Sequence, residues 1–305
     1  MPSHAHRPTI APQPNCCSGA LRAPVGGHRP PLQRPAIARV IRGAIVLALL
    51  YLLFLLPCIG QQSGTPLQQV PRRDPQAWAT VQNALAAMGG LSNISTIQNV
   101  VVQGTSHVTP TDDSGEYCNF TWISAGRDFR YENNATSGGH ILVSNGGNPR
   151  DLRDGTWSAV TPILARVELP YHIPALALLI EAGNPAYSFI YVGVGALNGR
   201  AAIHIQSRDD SDQIETLYSP QDWYFDAKTG LPMRVEYQSP LMPNRDGLSS
   251  ASIDFGNFSS ISGILVPFQL NMTYGPVSLT AAVSSVAFNS AVDPSTFLAS
   301  DGGTQ

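Results

Sequence analysis

The chain has 305 residues, of which 43% are hydrophobic and 13% are charged, and this is enough apolar material for one large globular domain. Its 27 glycines and 25 prolines favour a turn-rich β structure over a helical bundle. The first 60 residues hold six arginines and no acid, so the rest carries 12 basic and 21 acidic groups, and this net-acidic body argues against nucleic acid as a partner.

An uninterrupted apolar run, Ala44–Leu56, follows a Pro/Arg-rich leader over residues 1–38 that is predicted to be disordered. The run is shorter than the roughly 20 residues of a membrane-spanning helix, and Cys58-Ile59-Gly60 places small residues where a signal peptidase cleaves. Residues 39–60 are therefore interpreted as a signal peptide. The alternative is an uncleaved signal anchor that holds the chain in the inner membrane, and lipidation at Cys58 is a weaker third interpretation.

A helix is predicted after the polar linker of residues 61–73. Asp74-Pro75 supplies an N-cap acid followed by a proline at the first helical position, and Gly89-Gly90 ends the helix. Between these two signals, the large apolar residues recur on one helical stripe. These residues are Trp78, Val81, Leu85 and Met88. Such a stripe predicts a helix that lies on an apolar surface.

From Ile97 onwards the apolar period changes to two, and Gly, Asn and Asp clusters separate the segments at the spacing of a meander. Strands are predicted in twelve segments, one of which is a hairpin. Their segments are the stretch around Val100 and Val102, then Glu116–Ser124, Asp128–Asn133, Ile141–Ser144, Thr156–Val160, Tyr187–Val194, Arg200–Ser207, Gln213–Leu217, Asp222–Tyr237 (a hairpin), Ala251–Phe258, Ile264–Tyr274 and Val277–Phe288. The apolar period of two and the meander spacing of the turns together predict a mainly β, antiparallel domain.

Thr161–Gly183 interrupts this pattern with helical spacing broken by Pro170 and Pro174. Two short helices are predicted there. The second, around Leu176, is apolar on nearly every side, so it should be buried against the sheet or should plug a cavity.

The hairpin Asp222–Tyr237 has the clearest one-sided pattern, with Trp223 and Phe225 on one face of its first arm. A sheet with one apolar face must cover it with a helix, a second sheet or a ligand. The chain has no Gly-x-Ser-x-Gly, His-Glu-x-x-His or Cys-x-x-Cys motif, so no catalytic residue, metal ligand or cofactor is assigned. An unrecognised envelope hydrolase, testable at His204 and Asp254, is the least favoured function.

The helix ending in Gly-Gly, the long meander, the hairpin Trp-Tyr-Phe-Asp-x-x-Thr-Gly-Leu-Pro-x-Arg, and the segments Asp254–Phe258 and Gly263–Phe268 together resemble the lipoprotein-localisation-factor (LolA/LolB-like) superfamily. The resemblance implies an antiparallel open half-barrel sheet with helices on its concave face, over an apolar cavity that receives acyl chains or hydrophobic peptide. It implies one such β domain over residues 74–298, a disordered tail over 299–305, and a location in the periplasm.

The resulting hypothesis is an exported, non-enzymatic envelope protein that binds a lipid, a lipoprotein acyl chain or a hydrophobic peptide; the alternative is a membrane-anchored sensor or scaffold that docks a protein. The apolar faces form either this cavity or a filled core. The candidate cavity lining consists of Val100, Val102, Ile203, Ile205, Trp223, Phe225, Met233, Val235, Tyr237, Phe255, Phe268 and Leu270. The candidate covering helices contribute Trp78, Leu85, Leu176, Leu179 and Ile180.

Overall fold

A computed structural model describes residues 70–109, 116–126, 128–133, 140–153, 155–160, 172–239 and 248–299. The predictions for the leader, for the apolar run, for most of the linker, for the first of the two short helices and for residues 300–305 lie outside these ranges. Within the ranges, no helix is both long enough and apolar enough to cross a membrane.

One antiparallel sheet of 13 strands runs through the described residues, in the order β6-β5-β4-β3-β2-β1-β13-β12-β11-β10-β9-β8-β7. Two meanders meet where β1 pairs with β13, and the sheet does not close because β6 and β7 are both edges. The strands are β1 Val100–Thr109, β2 Glu116–Ala125, β3 Asp128–Asn133, β4 His140–Asn145, β5 Asn148–Arg153, β6 Thr156–Ala159, β7 Tyr187–Leu197, β8 Arg200–Asp209, β9 Gln221–Asp226, β10 Pro232–Ser239, β11 Ser249–Ile261, β12 Ile264–Tyr274 and β13 Val277–Phe288. The predicted open antiparallel sheet is confirmed.

The helices are α1 Pro75–Ala87, α2 Leu91–Ile94, α3 Pro174–Gly183, α4 Gln213–Tyr218 and a 3₁₀ helix at Pro294–Phe297. The predicted start of α1 is confirmed, because the Asp74 side chain accepts a hydrogen bond of 2.9 Å from the backbone N–H of Gln76. Gly89 ends this helical segment at φ 130°, where a Cβ atom would lie 2.5 Å from the carbonyl oxygen of Gly263. Only glycine allows α1 to meet the sheet this closely.

The strand predicted at Gln213–Leu217 was wrong, because this segment is helix α4. Asp212 caps the helix by accepting hydrogen bonds of 2.8 Å from the backbone N–H groups of Ile214 and Glu215. Ile214 and Leu217 are both exposed, so neither packs on the sheet, and the capped helix forms instead of a strand.

No strand was predicted between Ser144 and Thr156, but β5 occupies Asn148–Arg153 after a short turn. Gly146 and Gly147 have φ angles of 58° and 80°, so two residues suffice to reverse the chain. The short turn lengthens β4 and β5. The sheet therefore has one strand more than the turn-rich sequence of this region predicted.

The loop of the β9–β10 hairpin is organised by Asp226. Its Oδ1 accepts hydrogen bonds from the backbone N–H groups of Lys228 and Thr229, at 3.0 and 2.7 Å, and from the Thr229 hydroxyl at 3.0 Å. Burial alone would raise the pKa of Asp226, but these hydrogen bonds and one from Arg200 outweigh it and lower the pKa below its ordinary value. The carboxylate therefore stabilises the loop in its ionised form.

Asp226→Ala is expected to lower the free energy of unfolding by about 1–3 kcal/mol at neutral pH, because several donors lose a charged acceptor. Lys228→Ala keeps the backbone N–H and is the matched control. Because the pKa is lowered on folding, the contribution of Asp226 is present above about pH 4 and is lost as the pH falls through the folded-state pKa. Urea unfolding at pH 7 and at pH 3 measures both effects, and an equal loss at the two values would contradict this role.

Candidate functional site

The candidate site is the face of the sheet that meets α1 and α3, here called the inner face. Register joins its side chains in a row, since Trp223 lies opposite Ile205 on one side and Val235 on the other, and Val235 lies opposite Ile253. The Trp223 ring stacks on that of Phe255, with centroids 6.3 Å apart. The inner face is thus a continuous apolar surface across neighbouring strands.

The structure brings most of the predicted site residues into one hydrophobic cluster together with α1 and α3. Those buried in the cluster are Leu85, Val100, Val102, Ile205, Trp223, Phe225, Val235, Tyr237 and Leu270, and those partly buried against it are Trp78, Leu176, Leu179, Ile203, Phe255 and Phe268. Met233 is buried outside this cluster, and Ile180 is 43% exposed. Their role as a ligand surface stays a prediction.

Helix α3 is apolar on both of its sides. Its buried side is made largely of small residues, Ala175 and Ala177, with Leu178 as its large apolar side chain. Its other side carries the exposed Ile180, with Leu176 and Leu179 partly buried. The helix therefore covers the inner face with Leu178 fully buried and with Leu176 and Leu179 partly buried against the cluster.

Hydrogen bonds from Arg73 hold the C-terminal end of α3. The Arg73 guanidinium donates hydrogen bonds to the carbonyl oxygens of Ala182 and Asn184, at 3.2 and 2.8 Å, and lies 4.5 Å from the centroid of the Trp78 ring. These carbonyls lie at the C-terminus of the helix, where a cation is favourable. Sequence reasoning missed Arg73 because it lies in the segment interpreted as a linker.

Glu181 is an acid buried between α3 and the sheet, with 3% of the residue exposed. Burial raises its pKa to about 8, and the hydrogen bonds that Ser207 and Gln221 offer its carboxyl offset only part of this rise. Asp209 adds a like charge that opposes ionisation further. The carboxyl is therefore protonated at neutral pH, and its Oε2 has no hydrogen-bond partner among the described residues.

Sequence reasoning also missed Glu181, although its spacing from Leu178 and Ala177 is that of a common helical stripe. Gln221 lies below it on the sheet and accepts a hydrogen bond of 2.9 Å from the Trp223 indole. Glu181 and Gln221 therefore form a polar site within the apolar inner face.

At its other end, beyond β2, the inner face becomes partly polar. Leu142 lies opposite Asp151 in the β4–β5 pairing, and the His140 Nε2 is 2.5 Å from an Asp151 carboxylate oxygen. Burial would raise the pKa of Asp151, but the contact with His140 and the charge of Arg153 hold it below its ordinary value. This pair marks a polar margin of the apolar surface.

The outer face of the same sheet carries the residues singled out for a hydrolase. His204 Nε2 lies 2.7 Å from the Asp222 carboxylate, and Arg234 forms a two-point ion pair with Asp254 at 2.6 and 2.8 Å. Both sets join neighbouring strands and so hold the sheet together. In the described residues, no three His, Cys, Asp or Glu side chains are grouped as metal ligands.

Neither a protein-family model nor a curated protein sequence matches the chain. Among solved structures, a LolA superfamily protein from Nitrosomonas europaea is 12% identical, with a TM-score of 0.50 over 73% of this chain and 97% of that chain. A DUF1329 family protein from Desulfovibrio piger is 13% identical, with a TM-score of 0.48 over 73% of this chain and 97% of that one. A domain from Vibrio parahaemolyticus described as outer membrane lipoprotein-sorting is 13% identical, with a TM-score of 0.47 over 73% and 96%. With the open sheet and its helices, the first likeness shows a LolA-like fold, as the motifs predicted.

Proposed function

We propose that this chain, whose fold is LolA-like, is an exported envelope protein that binds a lipid, a lipoprotein acyl chain or a hydrophobic peptide between α3 and the inner face, without catalysing a reaction. The observation that carries the proposal is the combination of a continuous apolar face and a covering helix whose two sides are apolar apart from the buried Glu181. The shared fold supports the ligand class by analogy.

Displacing α3 would cost the apolar contacts of three leucines. Leu178 is buried in the core, Leu176 and Leu179 are partly buried against it, and one fully buried leucine is worth about 1.5–3 kcal/mol, so the loss is on the order of 3–6 kcal/mol. A bound acyl chain gains about 0.8 kcal/mol for each buried methylene, so a chain of roughly ten methylenes offsets that loss. Trp223 and Ile205, which lie in the same hydrophobic cluster as the helix, would then contact the ligand in its place.

Brominated stearic acid, which quenches tryptophan at short range, is expected to report this site. Variants that retain only Trp223 or only Trp157 supply the two reporters, the other tryptophans being replaced by phenylalanine. Trp223 lies on the inner face beneath the helices, whereas Trp157, opposite Leu152, lies on the outer face. We expect saturable quenching of Trp223 by more than half and little quenching of Trp157, measured by fluorescence titration.

Equal quenching of both reporters would indicate nonspecific adsorption and would contradict the proposal, as would no quenching of either. Unbrominated stearic acid should leave the emission intensity nearly unchanged, which separates contact with bromine from a change in the fold. Native mass spectrometry of protein purified from its own envelope should also reveal a co-purified lipid mass.

The second candidate function is a membrane-anchored sensor or scaffold that docks a protein. The observation that favours it is the apolar run Ala44–Leu56, which would anchor the β domain if it is retained. Intact-mass analysis of the native protein distinguishes the two. A mass beginning at Gln61 supports the released carrier, whereas a mass that retains residues 39–60, confined to the membrane fraction, supports the anchored protein.

A further inference from the structure

Strand β7 forms one edge of the sheet and lacks the charges that usually protect an edge. Its 11 residues, Tyr187–Leu197, include no Asp, Glu, Lys or Arg. Val192 and Val194 are 54% and 66% exposed. A long, uncharged edge strand with exposed β-branched residues offers its backbone to another extended chain.

The first part of this edge already holds such a chain. The Phe189 N–H donates a hydrogen bond of 2.8 Å to the Arg72 carbonyl, and the Asp74 N–H donates one of 2.9 Å to the Phe189 carbonyl, which forms a parallel bridge at Arg73. The chain then turns into α1. From Tyr191 to Leu197, no strand of the described residues lies on the outer side of β7.

A depression of about 200 Å³ lies beside this open part of the edge. The strand contributes Val194 and Gly195 to its wall, and the sheet contributes His204 and Tyr224. The His204 Nε2 lies 2.7 Å from the Asp222 carboxylate, and this contact holds the imidazole ring in the wall. In recognition by strand addition, backbone hydrogen bonds give affinity and such pockets select side chains.

We propose that the edge of β7 from Tyr191 to Leu197 binds an extended, uncharged segment of a protein partner as an added strand, with one apolar side chain in the depression. The bridge at Arg73 provides continuity, because the new strand would extend an edge that already pairs with an extended segment. A second copy of this chain fits less well, since pairing seven residues with seven buries far less than the 1,200–2,000 Å² total of a typical stable interface. The inference is independent of ligand binding on the inner face.

The test uses the purified full chain and a phage-displayed library of random dodecapeptides, with the selected peptides then synthesised. We expect selected peptides to alternate apolar residues and to lack charge. Binding should slow amide hydrogen exchange over Tyr191–Leu197. Gly195→Leu, whose Cβ would meet open space, fills the depression and is expected to weaken binding at least tenfold. Val194→Lys protects the edge and should act similarly.

Leu217→Lys is the matched control, because Leu217 is also an exposed apolar residue but lies on α4. It should leave peptide affinity unchanged, whereas methylation of alternate peptide nitrogens should abolish binding. The proposal is overturned if no peptide is selected, or if selected peptides bind Gly195→Leu as tightly as the original chain. It is also overturned if the free chain already protects these amides, either through a concentration-dependent dimer or through its own N-terminal segment.

Discussion

Trp223→Ala is expected to lower the free energy of unfolding by about 3–5 kcal/mol, which is a large part of the roughly 5–15 kcal/mol that stabilises a typical domain. Trp223 is fully buried on the inner face and stacks on Phe225 and Phe255. Its removal leaves a cavity in the hydrophobic cluster that the surrounding side chains fill only in part. It also leaves the Gln221 side chain without the indole donor.

Urea unfolding followed by circular dichroism measures this loss. Trp157→Ala provides a control of the same chemistry, because Trp157 lies on the four-residue edge strand β6 and is only half-buried. Trp157→Ala should lower the free energy of unfolding by clearly less than Trp223→Ala. Similar losses of unfolding free energy for Trp223→Ala and Trp157→Ala would mean that the inner face contributes no more to stability than the edge of the sheet does.

The β9–β10 hairpin could be predicted because its determinants are local. Strict alternation placed Trp223 and Val235 on one face, and the structure pairs these two residues directly across the strands. Asp226 and Gly230 supply the loop within five residues of each other, so no distant part of the chain was needed to recognise it. The same locality explains the correct start of α1 at Asp74.

Features that depend on distant residues could not be predicted in this way. Burial of Glu181 depends on Ser207 and Gln221, which belong to strands later in the chain. The pairing of β1 with β13 joins the two ends of the domain, and no local pattern encodes it. For α4, the N-cap Asp212 is adjacent to the segment in the sequence, but the prediction of a strand did not take it into account.

Glu181→Gln is expected to remove a large component of the pH dependence of stability. The pKa of Glu181 is about 8 in the folded protein, against an ordinary value of 4.5. Below the ordinary value both states hold the proton, so the carboxyl does not favour unfolding. Between the two values only the folded state holds it, so the free energy of unfolding falls by about 1.4 kcal/mol for each pH unit, or about 3–5 kcal/mol over the window. Above pH 8 the loss is complete.

The measurement compares urea midpoints of Glu181→Gln and the original chain from pH 4.5 to pH 8.5, with Glu215→Gln on α4 as the control. Subtraction of the two curves cancels the other groups that titrate in this range. Parallel curves for Glu181→Gln and the original chain would mean that the buried carboxyl is ionised throughout, and would contradict its protonation at neutral pH.

The groups that face Glu181 determine which part of the domain is destabilised when its carboxyl ionises. The strands present Ser207, Gln221 and Asp209, while the Arg73 guanidinium is held by the carbonyls at the end of α3. Asp209 would repel the ionised Glu181 carboxylate, and Arg73 already donates its hydrogen bonds to the carbonyls of α3. The ionised carboxylate is therefore stabilised most by contact with water. Ionisation should therefore loosen α3 first, and amide exchange, corrected for its intrinsic pH dependence, should rise between pH 6 and pH 8 in α3 but not in Glu181→Gln. Because α3 is the element that the proposed ligand displaces, the same proton would also set how readily the inner face opens.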